Sequence, residues 1–486
     1  MPTETMKEDI SQMKYNGSSG MNDLKVNKWV AVALYSIIAS VSTFVHAGFS
    51  GWQPIVYKTG AFSELCGPND EVQIFRVDDK ISYKSCGNRD AAVNNLFTLS
   101  FFVHFFLSSV SGYVLDTFGE KICFLSGQII LTAAFVSLTF LKFSYVWYLF
   151  FLLLGVSADL SFIPLLKLSK YFPGQESLIF GILGSARSTG FGVGLLLKLG
   201  FFYTFDFKEN EFYILCLFYM FTCILYSFLV GIFIMPSKKS SISNLNSEGA
   251  TGSTSTDKKR TLGMLNEMDK IESGEKKYIN SNDQNGSIME NIKSLWRHPQ
   301  KWEYLITLFI CSSSMIRFDY FIKTNRSFFI WKENDLTTIF SLSTVLSFIP
   351  TPFFGYLAGK FGSVYSIITN NIFIFLTYVC ILFEGKFFRM LAIILFFFYI
   401  SFVFSCFYCY VDEKFAKEHF GKLCGSMFAF SALCLVFNFY LTYLTNVVYV
   451  YLGDKKYFPV VYGMNVLGVI TLLLCVYLKL SEKKKK

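Results

Sequence analysis

The sequence predicts an all-α membrane protein of twelve transmembrane helices in two pseudo-symmetric six-helix halves. Three observations predict it: an apolar composition, twelve apolar runs of spanning length, and a short glycine pattern present once in each half. Of 486 residues, 53% are hydrophobic, 19% aromatic and only 16% charged. Mean hydropathy is +0.43. Soluble domains carry roughly a quarter charged residues, so a soluble globular protein is excluded. The net charge of +9 could suit nucleic acid. The lysines and arginines lie mostly between apolar runs and at the tail, however, so they read as membrane-orienting and no nucleic-acid partner is expected.

The elements follow in chain order. A polar tail, residues 1–28, precedes the first run and is expected to be cytoplasmic. The first run lacks a small-residue cleavage site and reads as a retained span. Runs begin near Trp29, Val93, Ile122, Tyr145, Ser177 and Phe212, giving a first half over residues 29–235. Residues 51–92 form a long loop on the outer side. Residues 236–300, with Lys238, Lys239, Lys258, Lys259 and Arg260, are too polar to bury a core and read as a disordered cytoplasmic loop. A second set of runs begins near Trp302, Leu336, Ser363, Met390, Leu423 and Phe458, giving a second half over 301–480 and a basic tail over 481–486. Alternating β-barrel segments would be shorter and polar at every second position. Basic residues in both tails and the central loop place both termini in the cytoplasm. Lys323, Arg326 and Lys332 fall outside under this scheme and run against it.

The repeat reads Gly112-Tyr-Val-Leu-Asp116-Thr-Phe-Gly119 after span two and Gly355-Tyr-Leu-Ala-Gly359-Lys-Phe-Gly362 after span eight. Equivalent turns of a 6+6 layout argue for duplicated halves. Glycine suits tight turns where backbones approach. The first copy, continued by Glu120 and Lys121, resembles the signature turn between helices two and three of the major facilitator superfamily. Glu120 stands where that family often has arginine, and the second copy has Gly359 in place of the acid. The resemblance implies the major facilitator fold, with spans one, four, seven and ten around a central cavity. It makes Asp116 a conformational latch in preference to a substrate ligand.

A narrower pattern covers roughly residues 50–190. Ser50-Gly51-Trp52, Pro54 and Tyr57 precede Leu65-Cys66; Asn94-Asn95-Leu96-Phe97-Thr98 opens span two; Phe172 to Ser177 runs on to Gly184-Ser185. This resembles the system-L-type large neutral amino acid facilitators and their apicomplexan relatives, the apicomplexan amino acid transporter family with its Plasmodium members. Fifty-seven phenylalanines and 28 tyrosines fit an AT-rich genome. The resemblance implies an amino acid substrate and a plasma-membrane location, and a monomer is expected.

No chemistry-bearing motif supports an enzyme. A phosphate-binding Gly-Lys-Ser/Thr loop is absent from the sequence. The histidines at 46, 104, 298 and 419 lack metal-ligand spacing, so neither metal nor cofactor is expected. His46 and His104 fall within the membrane part, as packed histidines or, alternatively, as proton carriers. Most of the twelve cysteines lie in apolar runs; Cys66 and Cys86 share the long outer loop and are expected to form a disulfide that stiffens an outer lid.

Ionisable groups inside spans are costly and mark a pathway or an internal pair. Asp159 lies in span four and Arg187 in span five, flanked by Ser185 and Ser188. Arg187 could hold a substrate carboxylate in a bidentate way and Asp159 an ammonium group; equally, the two could form a structural ion pair. Arg317 in span seven is a third substrate candidate, though a gate ion pair is its first reading. Asp319, two positions on, points elsewhere. Ser312, Ser313, Ser314, Ser405 and Tyr408 are lesser cavity candidates, and the glycines of span five (Gly181, Gly184, Gly190, Gly192, Gly194) are expected to let helices approach. The sequence thus predicts a secondary or facilitative amino acid transporter working by alternating access. Cationic amino acids, arginine and lysine, come first. Large neutral amino acids, or a nutrient-sensing receptor that no longer transports, are the alternatives. Uniport or exchange is preferred to proton symport, because no acidic relay beyond Asp159 is evident.

Overall fold

The computed structural model describes residues 24–237 and 301–485, apart from 69, 71, 78–80, 141–142, 174, 206, 332–333 and 416–419. The expected features of residues 1–23 and of the central loop from Lys238, together with Lys332, His298 and His419, lie outside the described residues. The chain divides into one unit of Met1–Ser237 with Ile306–Lys486 and another of Lys238–Leu305, of which only 301–305 are described.

Among the described residues, nine helices are long and apolar enough to span a bilayer: Gly87–Phe118, Glu120–Phe140, Tyr145–Tyr171, Leu178–Thr204, Glu209–Phe233, Trp302–Phe329, Ser363–Leu382, Leu423–Val448 and Phe458–Glu482. These correspond to spans two to seven, nine, eleven and twelve. Two bent pairs supply spans eight and ten: Thr337–Leu346 with Thr351–Phe361, at 56°, and Lys386–Phe402 with Ser405–Lys414, at 41°. Span one is also broken. Lys28–Ser42 is too short to cross alone, and the chain resumes as a helix at Phe49–Lys58.

Each break has a local cause. In span eight, Pro350 and Pro352 remove two backbone donors, which bends a helix. In span one, Ser42 and Thr43 hydroxyls bond back to the Ile38 and Ala39 carbonyls, a habit that bends helices. Phe44 then leaves helical geometry at φ −131° and ψ 35°. The Val45 carbonyl freed there accepts the Trp52 indole N–H at 2.9 Å, as a membrane interior requires. In span ten, the Thr351 hydroxyl donates to the Ser401 carbonyl at 3.1 Å, a side-chain intrusion just before the kink.

The glycine repeat sits differently from the sequence expectation. Gly112 and Gly355 lie inside helices, and only Gly119 and Gly362 form the turns. These two have φ +88° and +93°, a region costly to residues with a Cβ. A Cβ at Gly112, Gly355 or Gly359 would meet open space. The close approach expected at those three is therefore not made in this conformation. We expect Gly119→Ala and Gly362→Ala each to destabilise by about 1–3 kcal/mol, since their ψ of 174° and 155° lies in an essentially glycine-only region. Gly112→Ala should be neutral or stabilising, since glycine costs roughly 0.5–1 kcal/mol inside a helix. Thermal unfolding of the purified variants checks the contrast.

Span five divides the same way. A Cβ on Gly194 would come 2.4 Å from the Gly48 carbonyl oxygen, and one on Gly51 would come 2.2 Å from Gly194. Gly181 and Gly184 face open space. The expected close packing is therefore confined to the second part of span five, where it locks against span one.

The loop after span one, expected to form a lid, is folded around a disulfide and a two-stranded sheet. Cys66 and Cys86 are bonded, with Cα atoms 5.7 Å apart. Between them β1 (Gln73–Arg76) pairs antiparallel with β2 (Ser82–Ser85). Phe75 stacks on Tyr57 at 3.6 Å. Across the halves, Arg326 donates to the Val77 carbonyl at 3.0 Å, and its guanidinium lies 4.6 Å from the Phe75 ring. Lys456 reaches the Gln73 amide oxygen at 2.5 Å. Mass mapping without reduction should recover one linked Cys66–Cys86 peptide pair. Cys→Ser changes should lower surface abundance before they alter substrate choice; two freely alkylated thiols on intact cells would contradict the bond.

Candidate functional site

Two of the candidate residues, Asp159 and Arg187, meet beside broken helices. Asp159 sits mid-helix in span four, 6% exposed. Arg187 in span five places Nη2 2.8 Å from Asp159 Oδ1. His104 in span two places Nε2 3.0 Å from the same oxygen and 2.9 Å from Arg187 Nη2. Three spans thus converge on one carboxylate oxygen. The Arg187 guanidinium is also walled by aromatic faces: Phe44 at 4.8 Å and Phe162 at 4.2 Å, each a favourable cation–π contact.

Phe44 is the residue at which span one breaks, and Phe404 lies at the kink of span ten. Their rings meet at 6.4 Å, and Phe404 also packs on Phe101, Phe105 and Phe318. Two discontinuous helices, one from each half, therefore flank the ionic group. Discontinuous helices near the mid-membrane are where transporters hold substrate. His46 lies in the break of span one, its ring 5.1 Å from that of His104. It is buried, and neither ring nitrogen has a hydrogen-bond partner.

The sequence candidates separate into those at this site and those away from it. Asp159 and Arg187 come together. The Ser188 hydroxyl bonds back to the Gly184 carbonyl, and the buried Ser185 hydroxyl lacks a partner. Arg317 does not join them. It is wholly buried between spans seven, nine and twelve, donating from Nη2 to Asn371 at 2.6 Å and from Nε to the Ser313 carbonyl at 3.2 Å, with Gly468 beside Nη1. It makes no salt bridge among the described residues, so the expected gate ion pair is not formed. Ser312, Ser313 and Ser314 bond to Ser431, Thr471 and Asn371 on spans eleven, twelve and nine. Tyr408 is partly exposed and packs on Phe428. Among the described residues, no three His, Cys, Asp or Glu side chains assemble as a metal site.

A second buried ionic group was missed by the sequence reading. Lys323 Nζ lies 3.1 Å from Asp319, 2.8 Å from the Thr98 hydroxyl and 3.0 Å from the Asn438 carbonyl. Asp319 Oδ2 also accepts from Thr98 at 2.8 Å and from the Asn438 amide at 2.7 Å. This cluster ties span two of the first half to spans seven and eleven of the second. Thr98 precedes His104 by six residues, about 9 Å along the helix. The signal was present: Asp319 and Lys323 stand four apart, the spacing of a helical ion pair. Counting Lys323 and Arg326 as outside the membrane hides it, whereas the helix runs on to Phe329.

The major facilitator superfamily model matches residues 81–437. The chain belongs to the major facilitator superfamily. It is therefore a multi-pass membrane transporter and not an enzyme. It is similar to "Arginine transporter 1" of Toxoplasma gondii, 25% identical over 95% of this chain and 90% of that one. "Cationic amino acid transporter 8" of Plasmodium berghei is 26% identical over 71% and 70%. "Aromatic and large neutral amino acid transporter 5-3" of Toxoplasma gondii is 24% identical over 82% and 73%. Among solved structures, an auto-inhibited POT family peptide transporter shares the fold, with TM-score 0.60 at 11% identity, covering 93% and 96%.

Proposed function

We propose that the chain transports cationic amino acids, arginine first and lysine second, by alternating access at the Asp159–Arg187 group. One observation carries this reading. The surroundings of Asp159 already accommodate a guanidinium with a carboxylate and two phenyl faces. An arginine substrate presents the same group and can exchange for Arg187 at that carboxylate. Arg187, once displaced, offers its planar fork to the substrate carboxylate. The names of the Toxoplasma and Plasmodium relatives support the same class.

The two halves would rock about this site, with the lid and the Asp319–Lys323 cluster holding them together at one end. The basic residues of the tails and central loop support a topology with both termini in the cytoplasm and the loop after span one outside the plasma membrane. The aromatic wall of Phe44, Phe101, Phe162 and Phe404 favours a second reading, large neutral amino acids, which the third relative's name also fits.

Labelled uptake after expression in oocytes tests the choice. Arginine and lysine should enter and compete with one another, with leucine and phenylalanine weaker. Uptake of sugars or nucleosides alone would overturn the proposal.

A further inference from the structure

Around Asp159, three groups make contacts that cannot all be satisfied at once. His104 Nε2 lies within hydrogen-bond distance of a guanidinium nitrogen and of a carboxylate oxygen, which are themselves bonded at 2.8 Å. A guanidinium nitrogen only donates and an ionised carboxylate only accepts, whereas an imidazole nitrogen either carries a proton and donates or carries a lone pair and accepts. With the lone pair at Nε2, His104 accepts from Arg187 and turns the same electrons toward Asp159. With a proton at Nε2, it donates to Asp159 and sets N–H against N–H at Arg187. Each state satisfies one contact and spoils the other. The imidazole's other nitrogen, Nδ1, has no partner.

The groups that face this imidazole come from several elements. Span one contributes Phe44 and His46, with ring centroids 5.5 and 5.1 Å away. Span two itself contributes Phe101, Phe105 and Ser108, the last bonded to Asp159. Asp159 comes from span four and Arg187 from span five. Cys123 of span three and Tyr408 of span ten interact electrostatically with Asp159. Asp159 is the acid of this group, and Arg187 its permanent cation.

We propose that His104 is a proton-binding site that exchanges the partner of Asp159. Taking a proton from water, the imidazole becomes a cation with N–H at both nitrogens and binds Asp159. Arg187, now beside a second positive charge, swings free to meet the substrate carboxylate. Loss of the proton to water on the opposite side restores the Asp159–Arg187 bridge and releases the substrate. Transport is thereby linked to a proton, in contrast to the uniport expected from the lack of a second acid. The inference rests on the substrate reading of Asp159 and Arg187.

The test uses the full chain in liposomes that enclose a pH-sensitive dye. Labelled arginine uptake is followed between about pH 5.5 and pH 7.5 outside, the window in which an imidazole titrates. Uptake should rise several-fold toward acid, and adding arginine should acidify the lumen. His104→Gln, which cannot take up a proton, should flatten the profile when rates are normalised to each variant's own maximum. Arginine counterflow at equal pH separates the two claims. Its absence would overturn the substrate reading and this inference with it. Counterflow with a flat wild-type profile, or with an unchanged slope in His104→Gln, would overturn the proton link alone. If His104→Gln does not fold, the wild-type dye trace decides: acidification supports the proposal and a silent dye refutes it.

Discussion

Arg187→Ala should leave the Asp159 carboxylate buried with its chief cation gone, at a cost of about 3–5 kcal/mol, and surface abundance should fall sharply. Asp159→Asn combined with Arg187→Gln removes both charges together and should restore abundance. Transport should stay lost. Each anchor is a charge-assisted bond worth about 1.5–3 kcal/mol, so losing two weakens affinity by roughly two to four decades at ~1.4 kcal/mol per decade. Uptake normalised to surface protein, for both singles and the double, reads the outcome. A fully active double variant would reduce the pair to a structural bridge. Loss of cationic uptake with Asp159→Asn alone would mark Asp159 as the selectivity residue.

Lys323→Met should be as damaging for a different reason. It strips the wholly buried Asp319 of its counter-charge, again about 3–5 kcal/mol, and cuts a tie between the halves. Asp319→Asn with Lys323→Met should recover abundance and, unlike the first pair, should leave the KM for arginine near the wild-type value, because the cluster lies about 9 Å along span two from His104. Surface biotinylation and uptake kinetics measure both. A double variant with normal abundance but no affinity would place this cluster in the substrate site.

Much of the fold is legible in the sequence because hydropathy reports directly on the bilayer. Among the described residues, eleven of the twelve apolar runs fall on nine long apolar helices and two bent pairs, the first run being too short as a single helix, and Pro350 and Pro352 foreshadow the bend in span eight. The breaks in spans one and ten are not legible in this way. They come from Ser42, Thr43 and Thr351 competing for carbonyls, and such hydroxyls also occur in straight helices. In the candidate site, Asp159 and Arg187 stand out because charge inside an apolar run is costly. His104 lies between phenylalanines and carries no fixed charge, so nothing in the run announces that it turns toward Asp159. Arg317 satisfies the same charge criterion as Arg187, yet its hydrogen bonds go to Asn371 of span nine and to its own helix and not to the Asp159 group. Depth and charge can be read from a linear sequence, whereas the direction a helix face takes depends on its neighbours.

Competition for labelled arginine uptake by arginine itself, arginine methyl ester and agmatine tests the central claim most directly. A site that pairs Arg187 with the substrate carboxylate and Asp159 with its cationic group should be blocked by arginine. It should be blocked at least tenfold less well by the two compounds that lack a free carboxylate, since one charge-assisted bond is worth about 1.5–3 kcal/mol. Equal competition by all three would contradict the account.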